Sequence, residues 1–225
     1  MTERIVALIP ALNAADSIGG VIRACLPHVS QVVVVDDGSS DGTGAVAKDA
    51  GATVLRHEVN RGKGAALKTG FGWAVENGFD GVITLDADGQ HLPEEIPRFI
   101  TAHRDTKADL IIGGRAHLFP EMLPRRRRAN QFSAWTISVV AGTEVTDSQS
   151  GFRFYSAPLL KKVRLRTDGF DMESEVIVRA GRHGFRIVTI PIGLGFVDGL
   201  STSHYRPLKD TLRIAWTVFR ALLRP

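Results

Sequence analysis

Apolar and polar positions fall in blocks along the first half of the chain. Short runs of apolar, β-favouring residues stand at 5–9 (Ile-Val-Ala-Leu-Ile) and at 32–35, which is four valines. Runs that are apolar at successive positions, rather than at every second one, suit strands covered on both faces of a parallel sheet. The pattern recurs at 52–56, 81–85 and 110–112, and segments 17–26, 44–50, 65–76 and 94–103 between these runs read as helices. Strand–helix alternation at this spacing predicts an α/β domain with a mostly parallel central sheet flanked by helices. Its ligands are expected at the carboxyl ends of the strands.

The second half is less regular. Arg125 to Arg128 precede a stretch, 129–141, in which Phe132, Trp135 and Val139 recur at helical spacing. Segments 152–155 and 187–190 read as further strands, with a helix over 174–183 between them. In 207–223, Leu208, Leu212, Ala215, Phe219 and Leu222 fall on one side and Lys209, Arg213, Arg220 and Arg224 on another. That is an amphipathic C-terminal helix with a basic flank, of the kind that lies in a membrane interface or packs as a lid. The chain thus divides into a domain over 1–206 and a basic helix over 207–225.

Composition narrows the class. Of 225 residues, 44% are hydrophobic and 23% charged, values expected of a soluble globular protein. No run approaches the length of a membrane-spanning helix, and residues 1–10 read as a strand rather than a secretory leader. The single cysteine, Cys25, lies beside Val21, Ile22 and Leu26 and is expected to be a core thiol, in keeping with a reducing cytoplasm. Net charge is +4, with many of the carboxylates between Asp36 and Asp109 and the cations concentrated at 125–128 and in the final segment. An acidic site framed by basic segments suits a metal ion and phosphates. The low aromatic content (7%) and the lack of a reader motif argue against a nucleic-acid-binding module.

Candidate chemistry concentrates at predicted strand ends. Asp86-Ala87-Asp88 closes the run 81–85, with Gln90 and His91 just beyond. Paired carboxylates with little base nearby are unfavourable without a cation, and hard oxygen ligands suit Mg²⁺ or Mn²⁺ bridging to a diphosphate. A surface turn produces the same D-x-D pattern. A second acid pair, Asp36-Asp37, follows the valines and opens Gly38-Ser39-Ser40-Asp41-Gly42-Thr43, where Asp41 or Thr43 can cap the next helix. Two acids following an apolar strand call for donors such as a nucleobase or ribose. Arg61-Gly62-Lys63-Gly64 enters a helix and can hold an anion there or serve as a helix-entry turn. It is not a phosphate-binding Walker loop, and no G-x-G-x-x-G follows the first strand.

Taken in order, Ile9 to Asn13, Val35 to Thr43, Asn60 to Gly64, Asp86 to His91 and Asp147 to Arg153 form a set that resembles the family 2 glycosyltransferases. These have the GT-A, or nucleotide-diphospho-sugar transferase, fold, and the likeness is to the branch of dolichyl-phosphate mannose synthase and related polyprenyl-phosphate glycosyltransferases. It spans residues 4–206. The resemblance implies a nucleotide-sugar site made by Pro10, Asn13, Val35, Asp37, Lys63, Asp86, Ala87 and Arg206. It implies Mg²⁺ or Mn²⁺ on Asp88 and Gln90, catalytic roles for Asp88, Arg115 and Arg153, and an acceptor-phosphate site at Arg127, Arg128, Ser150 and Arg153. The chain departs from the family pattern at Leu12, where an aromatic is usual, at Ala14, where Glu is usual, and at Gly199-Leu200-Ser201-Thr202, where Gly-x-Ser-Lys is expected. His204 or Arg206 would then supply the basic group.

The expected reaction moves a hexose, with inversion, from a nucleoside-diphosphate sugar of the GDP-mannose or UDP-glucose type to a polyprenyl phosphate. An acceptor phosphate is already anionic and needs no general base. A saccharide or other hydroxyl acceptor would need one, and Asp171, Glu173 and Glu175 are the candidates unless they simply start a helix. A sugar-phosphate nucleotidyltransferase would need a Gly-rich, Arg-containing loop after the first strand, which Ala11 to Ala14 do not supply. The lone thiol suits the cytoplasm, and the Arg125–Arg128 block with the basic amphipathic final helix suggests a peripheral place on the inner face of the membrane, against an anionic lipid surface; the resemblance adds a separate membrane subunit as a candidate partner.

Overall fold

The apolar runs form one sheet. A computed structural model describes residues 3–115, 124–169, 171–193 and 195. The elements run β1 (Ile5–Ala11), α1 (Ala15–Cys25), β2 (Gln31–Asp36), α2 (Thr43–Asp49), β3 (Thr53–Arg56), α3 (Lys63–Glu76), β4 (Gly81–Thr84), α4 (Ile96–Thr106), β5 (Leu110–Gly114), α5 (Pro124–Ala141), β6 (Arg153–Ser156), α6 (Ala157–Lys162), α7 (Met172–Arg182) and β7 (Ile187–Pro191). The seven strands are ordered β3-β2-β1-β4-β6-β5-β7. All pairs are parallel except those of β6, which is antiparallel to both β4 and β5. Its reversal follows from the loop before it, which already lies at the carboxyl end of the sheet, so β6 must run back down.

Side chains alternate between the two faces of the sheet and divide the core in two. Ile5, Ala7 and Ile9 of β1, with Val32 and Val34 of β2, pack under α1, α2 and α4. Val6 and Leu8, with Val33 and Val35, pack against α3, α5, α6 and α7. Both faces being covered is why these runs are apolar at every position. Cys25 is buried in the first of the two clusters, and burial pushes its thiol up to about 12.

One short element is absent from the sequence-based expectation. α6 has six residues, and its start is capped by Ser156 Oγ, which accepts the Leu159 N–H at 3.3 Å. The amphipathic segment 207–225, the boundary at 206 and Arg206 lie outside the described residues. So do the side chains of Arg127 and Arg128, which open α5.

Candidate active site

The carboxyl ends of β1, β2, β4 and β5 bring the predicted residues to one rim. There the loops after β1 and β2 are stitched together. The Asn13 N–H donates to Ser39 Oγ at 2.9 Å, and the Ser40 N–H donates to Asn13 Oδ1 at 3.0 Å. Asp41 serves two helices, accepting the Thr43 N–H at the start of α2 and the Ala15 N–H at the start of α1, each at 3.0 Å. The capping role read from the sequence therefore holds for Asp41 and extends to a second helix. Asn13 adopts a left-handed backbone (φ 50°), a conformation asparagine tolerates.

The acid pair after the valines finds its donors within the protein. Asp36 is fully buried, accepting the Ser39 N–H at 2.9 Å and pairing with Arg56 at 3.3 Å. Asp37 Oδ1 lies 2.6 Å from His57 Nδ1 and accepts the Arg61 N–H, while Oδ2 accepts the Gly62 N–H at 2.8 Å. For Asp37 the expectation that a nucleobase or ribose must supply the donors is thus corrected; Asp36 Oδ2 has the ion pair with Arg56 and no hydrogen bond among the described residues. Asp37 anchors the turn into α3. The side chain of Val35 is buried in the core with Leu8 and Ala66, so its backbone is the part that can face a nucleotide. Pro10, its register partner on β1, is half-buried at the rim.

The D-x-D loop is held at several points. The Asp86 N–H donates to His91 Nδ1 at 3.0 Å, which places the ring proton on Nε2, 3.9 Å from Asp86 Oδ2. Burial pushes the His91 pKa down and keeps the ring neutral. Ser17 Oγ donates to the Ala87 carbonyl at 2.7 Å, and the Gln90 N–H donates to Asp88 Oδ1 at 3.0 Å. Asp86, Asp88 and Gln90 all remain partly exposed. Among the described residues no group of three or more His, Cys, Asp or Glu side chains is arranged as a metal cage. Two partly exposed carboxylates and an amide fit a hard cation that takes its other ligands from substrate phosphates and water.

Lys63, at the first position of α3, joins the two sides of the cleft. Its Nζ lies 2.6 Å from Asp86 Oδ1 and 3.2 Å from Glu173 Oε1 in the first turn of α7. Burial opposes charge on both Asp86 and Lys63, but their mutual attraction outweighs it: the carboxyl is held low and the ammonium high. Arg115, just past β5, donates through Nε to Asp147 Oδ2 at 2.8 Å and through Nη2 to Oδ1 at 3.3 Å. Burial works against this pair too, and Coulombic attraction keeps both partners charged.

Arg153 is not where the sequence reading puts it. It is fully buried, and its guanidinium donates to the carbonyls of Ser150 (2.7 Å), Ser148 (2.8 Å) and Glu173 (2.6 Å). With three of its five donors committed to backbone, it ties the 148–150 loop to the start of α7, and it has no exposed surface to offer an acceptor phosphate. Ser150 is buried beside it, and its Oγ has no hydrogen-bond partner among the described residues. Sequence reasoning passed over His57 and the pairings of Lys63 with Glu173 and of Arg115 with Asp147. His57 left a usable signal, a lone histidine directly after a strand. The two pairings join residues 110 and 32 positions apart, and no local pattern reveals them.

The seven-stranded, mostly parallel sheet, with acids and cations converging at its carboxyl ends, has the GT-A architecture of its structural neighbours. The chain belongs to the family whose model, "Glycosyl transferase family 2", matches residues 6–164, and it is a glycosyltransferase. It is 35% identical to an undecaprenyl-phosphate mannosyltransferase of Micrococcus luteus over 206 residues, covering 84% of this chain and 82% of that one. Against a polyprenol monophosphomannose synthase of Mycolicibacterium smegmatis the identity is 33% over 211 residues, covering 85% and 77%. The fold matches glucosyl-3-phosphoglycerate synthase of Mycobacterium tuberculosis, crystallised with Mn²⁺, UDP and phosphoglyceric acid. There the TM-score is 0.76 at 20% identity, covering 99% of this chain and 80% of that one.

Proposed function

We propose that this glycosyltransferase moves a hexosyl group, with inversion, from a nucleoside-diphosphate sugar to the phosphate of a polyprenyl phosphate at the inner face of the membrane. The observation that carries the choice of acceptor is the state of the acids at the start of α7. Glu175 Oε2 accepts from the Arg166 N–H, the Thr167 N–H and Thr167 Oγ1, and its Oε1 accepts from Arg179 Nε at 2.7 Å. Glu173 is buried against Lys63. Two of the three carboxylates that a hydroxyl acceptor could use as a base are therefore committed to other partners, whereas a phosphate acceptor asks for no base. The relatives named for polyprenyl acceptors support the same choice.

In this reading an acceptor phosphate oxygen bonds to the anomeric carbon from the face opposite the diphosphate. The bond from that carbon to the diphosphate breaks, and the nucleoside diphosphate leaves with the electron pair, with no proton transferred. A Mg²⁺ or Mn²⁺ ion held by Asp88 and Gln90, with Asp86 beside them, would neutralise the leaving diphosphate. Arg115, kept charged and oriented by Asp147, adds positive potential on the same side. Lys63 stands beside Asp86 to meet the donor phosphates. The Arg125–Arg128 block suits an anionic surface.

The test offers purified protein GDP-mannose and UDP-glucose, each with undecaprenyl phosphate or a free oligosaccharide, and with Mn²⁺ or EDTA. The expected result is a hexosyl phospholipid from one donor, abolished by EDTA. Transfer to the oligosaccharide alone, and its loss in Asp171→Asn, would overturn the acceptor assignment in favour of a hydroxyl-acceptor enzyme.

A further inference from the structure

Lys63 already places a positive charge where a divalent cation's charge would act. Its ammonium touches Asp86 Oδ1 at 2.6 Å and is held from the other side by Glu173 at 3.2 Å. The pocket is closed over by Gly151, where a Cβ would stand 3.0 Å from Nζ and 3.1 Å from each Asp86 carboxylate oxygen. Glu173 is in turn fixed through its own carbonyl by Arg153. Asp86 is one-third exposed, so it faces the cleft as well as the lysine. Two cations cannot both sit against one carboxylate at full strength, because like charges a few ångströms apart repel even where water screens them.

We infer that Lys63 is a resident counter-ion of the D-x-D loop, which competes with the divalent cation for Asp86 until a donor diphosphate draws the ammonium away. The inference rests on the reading that this loop binds a donor diphosphate together with a cation. Glu173 keeps the displaced ammonium within reach, so the lysine exchanges one anionic partner for another without leaving the site. Cation and nucleotide should then bind cooperatively, and part of that coupling should be carried by Lys63 rather than by direct metal–phosphate contact alone.

The sign of the effect distinguishes this role from a structural one. Removing the ammonium should tighten the cation and loosen the nucleotide, whereas losing a residue that merely supports the loop would weaken both. Mn²⁺ binding to nucleotide-free protein is read by electron paramagnetic resonance for wild type, Lys63→Met and Lys63→Arg. UDP and GDP are then titrated calorimetrically with and without Mn²⁺, and thermal melts check that each variant is folded. Lys63→Met should bind Mn²⁺ about tenfold more tightly than wild type and the nucleotide more weakly, with a smaller Mn²⁺–nucleotide coupling; Lys63→Arg should stay near wild type. Equal or weaker Mn²⁺ binding by folded Lys63→Met, with metal-dependent nucleotide binding intact in the wild type, would overturn the counter-ion role alone. Wild type that binds no Mn²⁺, with or without UDP or GDP, would overturn the cation reading and this inference with it.

Discussion

Nδ1 of His57 lies 2.6 Å from Oδ1 of Asp37, and the two side chains are almost wholly buried. His57 Nε2 lies 2.9 Å from Thr69 Oγ1 on α3. Asp37 also receives the backbone N–H groups of Arg61 and Gly62, so this pair fixes the turn that delivers Lys63 to the cleft. His57→Ala leaves the buried carboxylate short of a donor and should cost about 2–3 kcal/mol, read from urea denaturation. Nucleotide affinity should fall several-fold in the same variant. His57→Asn places an amide N–H near the position of Nδ1 and should recover more of both than alanine does.

Arg153 holds three carbonyls that no other group in the loop replaces. Arg153→Met should destabilise the protein by about 2–3 kcal/mol or more, since the buried carbonyls of Ser148 and Ser150 lose this donor while that of Glu173 keeps its place in the α7 ladder. Arg153→Lys should rescue little, because one ammonium cannot reproduce the planar fork that reaches residues 148, 150 and 173 together. Chemical denaturation of the two variants checks both statements. A stable Arg153→Met protein that loses only acceptor affinity would return this residue to the phosphate site.

The parts of this architecture legible in the sequence are those set by local pattern. The β1 and β2 runs announce buried parallel strands because every position is apolar, whereas Asp86-Ala87-Asp88 marks a candidate site only in company with the other motifs, since a surface turn gives the same pattern. The buried face of α5 was not legible. Trp135 and Val139, the bulky residues at helical spacing, are more than 60% exposed, while the buried positions are the smaller Ser133, Ala134 and Ala141 with Ile137. The reason is a close approach of α5 to α7: a Cβ at Gly181 would stand 2.1 Å from the Ala141 carbonyl oxygen. Helices that near one another admit only small side chains between them, so the usual equation of bulk with burial fails. Arg153 is placed at the acceptor phosphate by family resemblance alone, and its three carbonyl partners become visible only in space.

Acid should weaken the fold through Glu175 and Asp147. Burial raises both carboxyls, but the donors around Glu175 and the Arg115 pair at Asp147 outweigh it, leaving them below their ordinary values of 4.5 and 3.8. The unfolded chain therefore takes up protons more readily than the folded one. The contribution is fully present above about pH 5 and is lost as pH falls through the lowered folded-state values. Urea midpoints measured from pH ~7 to ~3 should fall steeply at the acid end. Glu175→Gln should start lower and fall less steeply over the same range.

Two glycine-to-alanine changes should separate the chemistry from the scaffold. At Gly151 the added methyl meets the Lys63 ammonium and the Asp86 carboxylate, which are ends of side chains and can give way. Stability should change by less than about 1 kcal/mol. Displacing the pair proposed to meet the donor should nonetheless cut turnover about tenfold or more. At Gly181 the methyl meets backbone 2.1 Å away, which can move only if α5 shifts from α7. That change should cost several kcal/mol, about the upper range for overpacking, and should lower Tm before it alters nucleotide binding by the folded fraction. Melting curves and initial rates on the two variants test the contrast. If Gly151→Ala keeps full turnover, the contact between Lys63 and Asp86 is not part of the catalytic cycle.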